Sequence, residues 1–95
     1  MADSILQSEK KCFVTGITTG LHKHHIYMGD PLREISEENG FWVYLIKELH
    51  NITSFGVHGT YGHELDIALK QVCQRKFEET HTRDEFMNLI GVNFL

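Results

Sequence analysis

Long apolar runs are missing from this chain of 95 residues. No stretch approaches the roughly 18 consecutive apolar residues that a membrane-spanning helix needs. The start of the chain, from Met1 to Lys11, is polar and has no apolar stretch of the kind found in secretory signals. We therefore expect a soluble, cytoplasmic protein with no membrane partner.

Cysteine is also scarce. The two cysteines, Cys12 and Cys73, lie far apart, and neither has a partner at Cys-x-x-Cys spacing. A chain without a secretory signal is expected to keep its thiols reduced. The sequence therefore predicts free cysteines and gives no support to a disulfide framework.

Basic residues are fewer than acidic ones, with 9 Lys and Arg against 13 Asp and Glu, a formal net charge of -4. This balance excludes a function that depends on broad electrostatic attraction to nucleic acid. Such a function would need a local basic surface. Two groups of basic residues could supply a phosphate-binding edge or simply form a solvated face: Lys70, Arg75 and Lys76, and Lys10, Lys11 and Lys23.

Histidine is the residue present in excess, with seven in the chain and five of them between His22 and His58. Imidazole binds transition metals and exchanges protons near neutral pH, so this clustering is the main chemical signal. We assign no role to His22, His63 and His81, since a lone histidine is usually structural or exposed. For the others, a polar turn cluster hydrogen-bonded to backbone is the alternative to a functional site.

The hydrophobic pattern predicts an α+β fold in one domain, residues 1–95, whose first ten residues are flexible. Strands are predicted at 12–16, 21–28 and 41–46, and helices at 31–39, 63–80 and 83–90. The helix at 63–80 should be the main helix, packed on a small antiparallel sheet, and 83–90 a short C-terminal helix begun by a capping box. The glycine-rich stretch 48–62 should be a functional loop.

Three polar elements occur in order through the centre of the chain. His24-His25-Ile26 ends the second predicted strand, Asn39 follows His25 by 14 residues, and His50 follows Asn39 by 11. This pattern resembles the His-Asn-His (HNH) endonuclease family, also called the ββα-metal or His-Me finger fold. From about Ser8 onward the chain also resembles short phage-encoded proteins assigned to this class or to recombination accessories.

The resemblance implies a ββα-metal core and a role for each matching residue. His24 and His50 would be metal ligands, with His58 as a further ligand. His25 would be the general base, and Asn39 would orient it. Adjacent strand residues face opposite sides, so joint action of His24 and His25 predicts a bulge or kink between them. Family members often carry a Cys-x-x-Cys knuckle, but here Thr15 takes the second cysteine's place, which argues against a structural zinc site.

The resemblance further implies an enzyme, a metal-dependent endonuclease that hydrolyses phosphodiester bonds of nucleic acid, with DNA as the expected substrate. Its cofactor would be one divalent metal ion: zinc, nickel, manganese or magnesium. Two alternatives remain open. The chain could be a non-catalytic phage accessory or inhibitor that acts on a protein partner or as a homo-oligomer. Its net charge favours this alternative. It could also be a purely structural metal domain that unfolds when the ion is removed.

Overall fold

The computed structural model describes residues 2–52 and 62–95. Within these ranges the elements, in chain order, are β1 (Leu21–His25), α1 (Leu32–Asn39), β2 (Trp42–Ile46), a π-helical turn (Glu48–Ile52), α2 (His63–Phe77) and α3 (Arg83–Ile90). The chain is therefore a small α+β protein, as predicted. None of the described helices has the length and apolar character needed to cross a bilayer.

The sheet of the described chain consists of β1 and β2, which pair in antiparallel register from Leu21 opposite Ile46 to His25 opposite Trp42. The pairing continues without an extra residue through His24 and His25. The predicted bulge is therefore wrong, and strand alternation turns these two side chains to opposite faces. The strand predicted at 21–28 also ends early, at His25.

Helix α1 lies beside the end of β1 because a buried serine joins the two. Ser36 is fully buried, its hydroxyl donates to the carbonyl of Tyr27 at 2.9 Å, and it accepts from the Tyr27 amide at 3.3 Å. The helix ends at Gly40, whose φ of 75° is a left-handed conformation that glycine adopts without a Cβ penalty. This arrangement brings the second half of α1 alongside the last residues of β1.

An aromatic cluster forms the centre of the core. Tyr27 lies 5.5 Å, between ring centroids, from both Phe41 and Phe86, and Phe77 contacts Phe41 at 5.4 Å. Val43 and Leu45 from the sheet and Leu69 and Cys73 from α2 belong to the same buried cluster. The sheet, the main helix and the C-terminal helix therefore share one core.

The N-terminal segment lies along β2. The Ser4 hydroxyl donates to the Trp42 carbonyl at 2.6 Å, and the Tyr44 amide donates to the Gln7 side chain at 2.7 Å. Residues 2–10, which we expected to be flexible, thus make specific contacts with the sheet edge.

A tight turn follows this segment. The Gly16 amide donates to the Cys12 carbonyl at 2.9 Å, and the Cys12 amide donates to the Ile17 carbonyl at 2.7 Å. These bonds close the chain on itself, so the strand predicted at 12–16 is wrong.

The helix predictions agree better with the structure. The helices predicted at 31–39 and 83–90 are present within one residue, and the main helix ends at Phe77 instead of residue 80. The capping box at the start of α3 is confirmed, since Thr82 accepts from the Glu85 amide and the Glu85 carboxylate accepts from the Thr82 amide.

Candidate functional site

Three histidine rings meet on the inner face of the sheet. His22 and His24 are two residues apart on β1, so both side chains point to the face that also carries the buried Val43 and Leu45. His50 lies beside them, with its ring centroid 5.3 Å from that of His22 and 5.3 Å from that of His24. The site thus combines a regular strand with the turn that follows its partner strand.

The closest contact in this cluster joins His22 and His50. Their Nδ1 atoms are 3.2 Å apart, and the two ring planes are perpendicular. His50 reaches this position because the chain turns immediately after β2, where the Lys47 amide donates to the Gly20 carbonyl at 3.0 Å and closes the end of the sheet. The π-helical turn Glu48–Ile52 then carries His50 back towards β1.

The structure brings together two of the three predicted metal ligands, His24 and His50. The third, His58, lies outside the described residues. His22, to which the sequence analysis gave no role, belongs to the cluster, and the signal that could have found it is its position two residues before His24 on a strand. Among residues 2–52 and 62–95, no group of three His, Cys, Asp or Glu side chains is already arranged to hold an ion.

His25, the predicted general base, faces away from this cluster and contacts an acidic residue of α1. Its Nε2 atom lies 2.9 Å from the Glu37 carboxylate. A carboxylate ion can only accept a hydrogen bond, so Nε2 carries the shared proton, and in the neutral ring the basic lone pair is on Nδ1. Glu37 thereby selects one tautomer of the His25 ring.

Glu37 is itself held by a lysine. The Lys23 ammonium lies 2.8 to 2.9 Å from the two carboxylate oxygens and 4.1 Å from the centre of the Trp42 ring. The hydrogen bonds from Lys23 and His25 hold the pKa of the Glu37 carboxyl below its usual range. The carboxylate is therefore charged at neutral pH, which keeps it an acceptor for His25.

Asn39 makes a different contact from the one predicted. Its side-chain amide donates to the Ile35 carbonyl at 2.8 Å, within its own helix. It lines a small cavity with Ile5 and His81, while the residue bonded to His25 is Glu37. No sequence pattern had indicated Glu37 as a residue of the site.

A cleft of about 280 Å³ lies at the end of β1 and is lined by residues from both faces of that strand. It is lined by the predicted ligands His24 and His50, the predicted base His25, Met28, and two basic residues, Lys23 and Arg33. A neighbouring cleft of about 490 Å³ shares His25 and Arg33 and is otherwise lined by Gly29, Asp30, Glu34 and Glu37.

The larger cleft of about 520 Å³, between residues 3–10 and the aromatic pair Trp42 and Tyr44, contains no histidine among its lining residues. Its titratable lining residues are Asp3, Glu9, Lys10 and Tyr44, so it offers carboxylates but no imidazole ligand. The candidate site is therefore identified by the chemistry of the lining residues and not by the volume of the cleft.

Both cysteines are free and buried, as the sequence predicted for reduced thiols. Burial raises the pKa of the Cys73 thiol to about 12, so this group is neutral at physiological pH and behaves as a core residue. Neither cysteine takes part in the histidine cluster described above.

Comparison with protein families, with curated proteins and with solved structures gave no match for this chain. The geometry of the cleft and the order of the histidines in the sequence are therefore the features that bear on function.

Proposed function

We propose that this chain is a metal-dependent endonuclease of the HNH type, with a ββα-metal site, that hydrolyses phosphodiester bonds of nucleic acid, with DNA as the expected substrate. One observation carries the proposal. His24, His25 and His50, which the sequence pattern assigned to metal binding and proton transfer, line one cleft together with Lys23 and Arg33. Imidazoles and cations around one concavity are the groups that phosphoryl chemistry requires.

The donors of the cluster suit a divalent ion of the zinc or nickel class. His24 and His50 have adjacent rings, and neutral imidazole nitrogen is a preferred ligand of these ions. In this proposal His24 and His50 hold the ion, and the sequence pattern adds His58. When bound, the ion would stabilise the negative charge that develops on the phosphate and on the departing oxygen.

His25 acts as the general base in this proposal. Glu37 fixes the proton on Nε2 and leaves Nδ1 to accept the proton of the attacking water. The orienting role that the family resemblance assigned to Asn39 passes to Glu37, because Asn39 is bonded within its own helix. A carboxylate is the stronger partner, since it also stabilises the imidazolium that forms when His25 takes the proton.

Arg33 and Lys23 would bind the phosphate. Arg33 is exposed on the first turn of α1 and lines both clefts beside His25. A guanidinium can engage two phosphate oxygens at once, which positions the scissile group next to the base. Lys23 is partly neutralised by Glu37, so Arg33 should make the larger contribution to substrate affinity.

A metal-scanned cleavage assay tests the proposal. Purified protein, stripped with chelator, would be incubated with supercoiled plasmid and with branched DNA in magnesium, manganese, zinc or nickel. We expect nicking with at least one ion and none in chelator. Arg33→Ala should raise KM, and Arg83→Ala, at an exposed position at the start of α3, serves as the matched control. Wild-type protein that leaves every DNA intact with all four ions would overturn the proposal.

A second candidate is a non-catalytic accessory protein that keeps the metal site for structure. The net charge of -4 favours it, because the chain lacks general attraction to nucleic acid. It predicts that wild-type protein binds metal and melts at lower temperature in chelator, yet cleaves no DNA. Metal analysis and melting curves on the protein used in the cleavage assay therefore separate the two candidates.

A further inference from the structure

The contact between His22 and His50 has no role in the site that the sequence pattern predicted. It joins an extra imidazole on β1 to one of the predicted ligands, Nδ1 to Nδ1 at 3.2 Å. His22 is two residues from His24 on the same strand face, so three imidazoles border one small region of the inner sheet.

The spacing of the two nitrogens matches shared coordination of one ion. Zinc binds imidazole nitrogen at about 2.0 to 2.1 Å in tetrahedral geometry, which places two ligand nitrogens about 3.3 to 3.4 Å apart. The observed separation of 3.2 Å is close to this value. The ring of His24, a third imidazole, lies 5.3 Å from the same His50 ring, measured between centroids.

We propose that His22 is a ligand of the ion that His24 and His50 bind, and that the resulting three-imidazole site selects zinc, nickel or cobalt over magnesium. The inference rests on the proposed metal site, whose donors already suit zinc or nickel, and adds a ligand to it. Since no three side chains of residues 2–52 and 62–95 already form a finished site, it also requires a ring to rotate when the ion binds. Nitrogen donors favour ions of this class, whereas magnesium takes oxygen ligands and keeps several waters.

Direct metal binding tests the inference without any assay of DNA cleavage. Stripped wild-type protein would be titrated with cobalt chloride, and binding followed by visible absorption and by calorimetry, with magnesium chloride as competitor. We expect one cobalt per chain, visible bands of a four-coordinate ion, and no displacement by magnesium. His22→Ala should weaken cobalt binding by at least about 100-fold, since loss of even an outer-shell partner of a ligand costs roughly 10- to 100-fold.

His63→Ala is the matched control, because His63 is exposed at the start of α2 and should not affect binding. His22→Gln, which keeps a polar side chain but removes the imidazole, should behave like His22→Ala and guards against a folding defect. Independently of any variant, zinc should shift the ring ¹⁵N resonances of His22 in the wild type and leave those of His63 in place.

The outcomes are distinguishable. Wild-type affinity for cobalt in both His22 variants, or unshifted His22 resonances in zinc-loaded protein, would overturn the role of His22 and leave the proposed function standing. A wild type that binds none of cobalt, zinc and nickel would overturn this inference, and one that also binds neither manganese nor magnesium would overturn the metal-dependent function as well.

Discussion

Replacing Glu37 by Gln should damage catalysis more than stability. The substitution keeps the size of the side chain and one acceptor oxygen, but it removes the charge that both Lys23 and His25 contact at 2.8 to 2.9 Å. Two charges at this distance interact by at most about 6 kcal/mol at an effective dielectric constant of 20. The Glu37 side chain is 28% exposed, so solvent screens much of this energy. Exposed pairs typically contribute about 0.2 to 1 kcal/mol.

We therefore expect Glu37→Gln to lower the free energy of unfolding by about 1 kcal/mol, which for a domain of this size lowers the melting temperature by about 4 to 8 °C. The effect on activity should be larger. Without the carboxylate the His25 ring loses its fixed tautomer and its support as a cation, so kcat should fall by roughly 10- to 100-fold, less than the 10²- to 10⁴-fold that the general base itself contributes. KM should stay within about twofold, since Glu37 does not bind the phosphate.

Steady-state cleavage of a fluorescent duplex, with melting curves and metal analysis of the same samples, would measure these effects. Glu34→Gln is the matched control, because Glu34 is an exposed acid on the same helix that lines the neighbouring cleft. It should leave kcat and the melting temperature nearly unchanged. A Glu37→Gln protein that is folded, loaded with metal and as active as the wild type would refute the assignment of Glu37 as the residue that orients His25.

Three further predictions concern stability. Thr82→Ala removes the capping box of α3 and should lower the free energy of unfolding, measured in urea, by about 0.5 to 2 kcal/mol. Asn88→Ala, at an exposed position on the same helix, should lower it by less. Gly40→Ala should lower the free energy of unfolding by at least about 1 to 2 kcal/mol, because φ at Gly40 is 75° and a Cβ there would overlap the Asp3 carbonyl oxygen. A variant as stable as the wild type would contradict this backbone conformation at Gly40. The pKa of Glu37 is lower in the folded state than its usual 4.5, so its contribution is complete above that pH and is lost as pH falls through the folded pKa. The stability gap between wild type and Glu37→Gln should therefore narrow in acid, and a constant gap would contradict the ion pairs.

Local patterns predicted the regular elements well where several signals agreed. In α3, the Thr82 and Glu85 capping box, the buried Phe86 and the terminal Gly91 all indicate the same helix, and the structure has it. In β2, an apolar run after Gly40 predicted a strand that differs from the observed one by a single residue. Such predictions are reliable when the capping residues, the spacing of the buried positions and the residue that ends the element all indicate the same structure.

The strand predicted at 12–16 failed because β propensity is weak compared with tertiary context. Phe13, Val14 and Thr15 favour extended structure, but hydrogen bonds from Cys12 to Ile17 and from Gly16 to Cys12 close the segment into a turn. No local pattern distinguishes this turn from a short strand entering a loop.

The candidate site was predictable in part. The family resemblance placed His24 and His50 in one site, and their rings are adjacent in the structure. Strand alternation alone would have added His22. The pairing of His25 with Glu37 was not predictable, because it depends on how α1 packs, and this is determined by the buried contact between Ser36 and Tyr27.

The central claim is that His25 moves the proton in a metal-dependent hydrolysis carried out in the cleft at the end of β1. The most direct measurement compares the rate of plasmid nicking by wild type and His25→Ala, each loaded with the most active ion and analysed for metal content. We expect His25→Ala to lose roughly 10²- to 10⁴-fold in rate, with metal content and fold retained. Equal nicking by the two proteins, or no nicking by the wild type with any of the four ions, would contradict it.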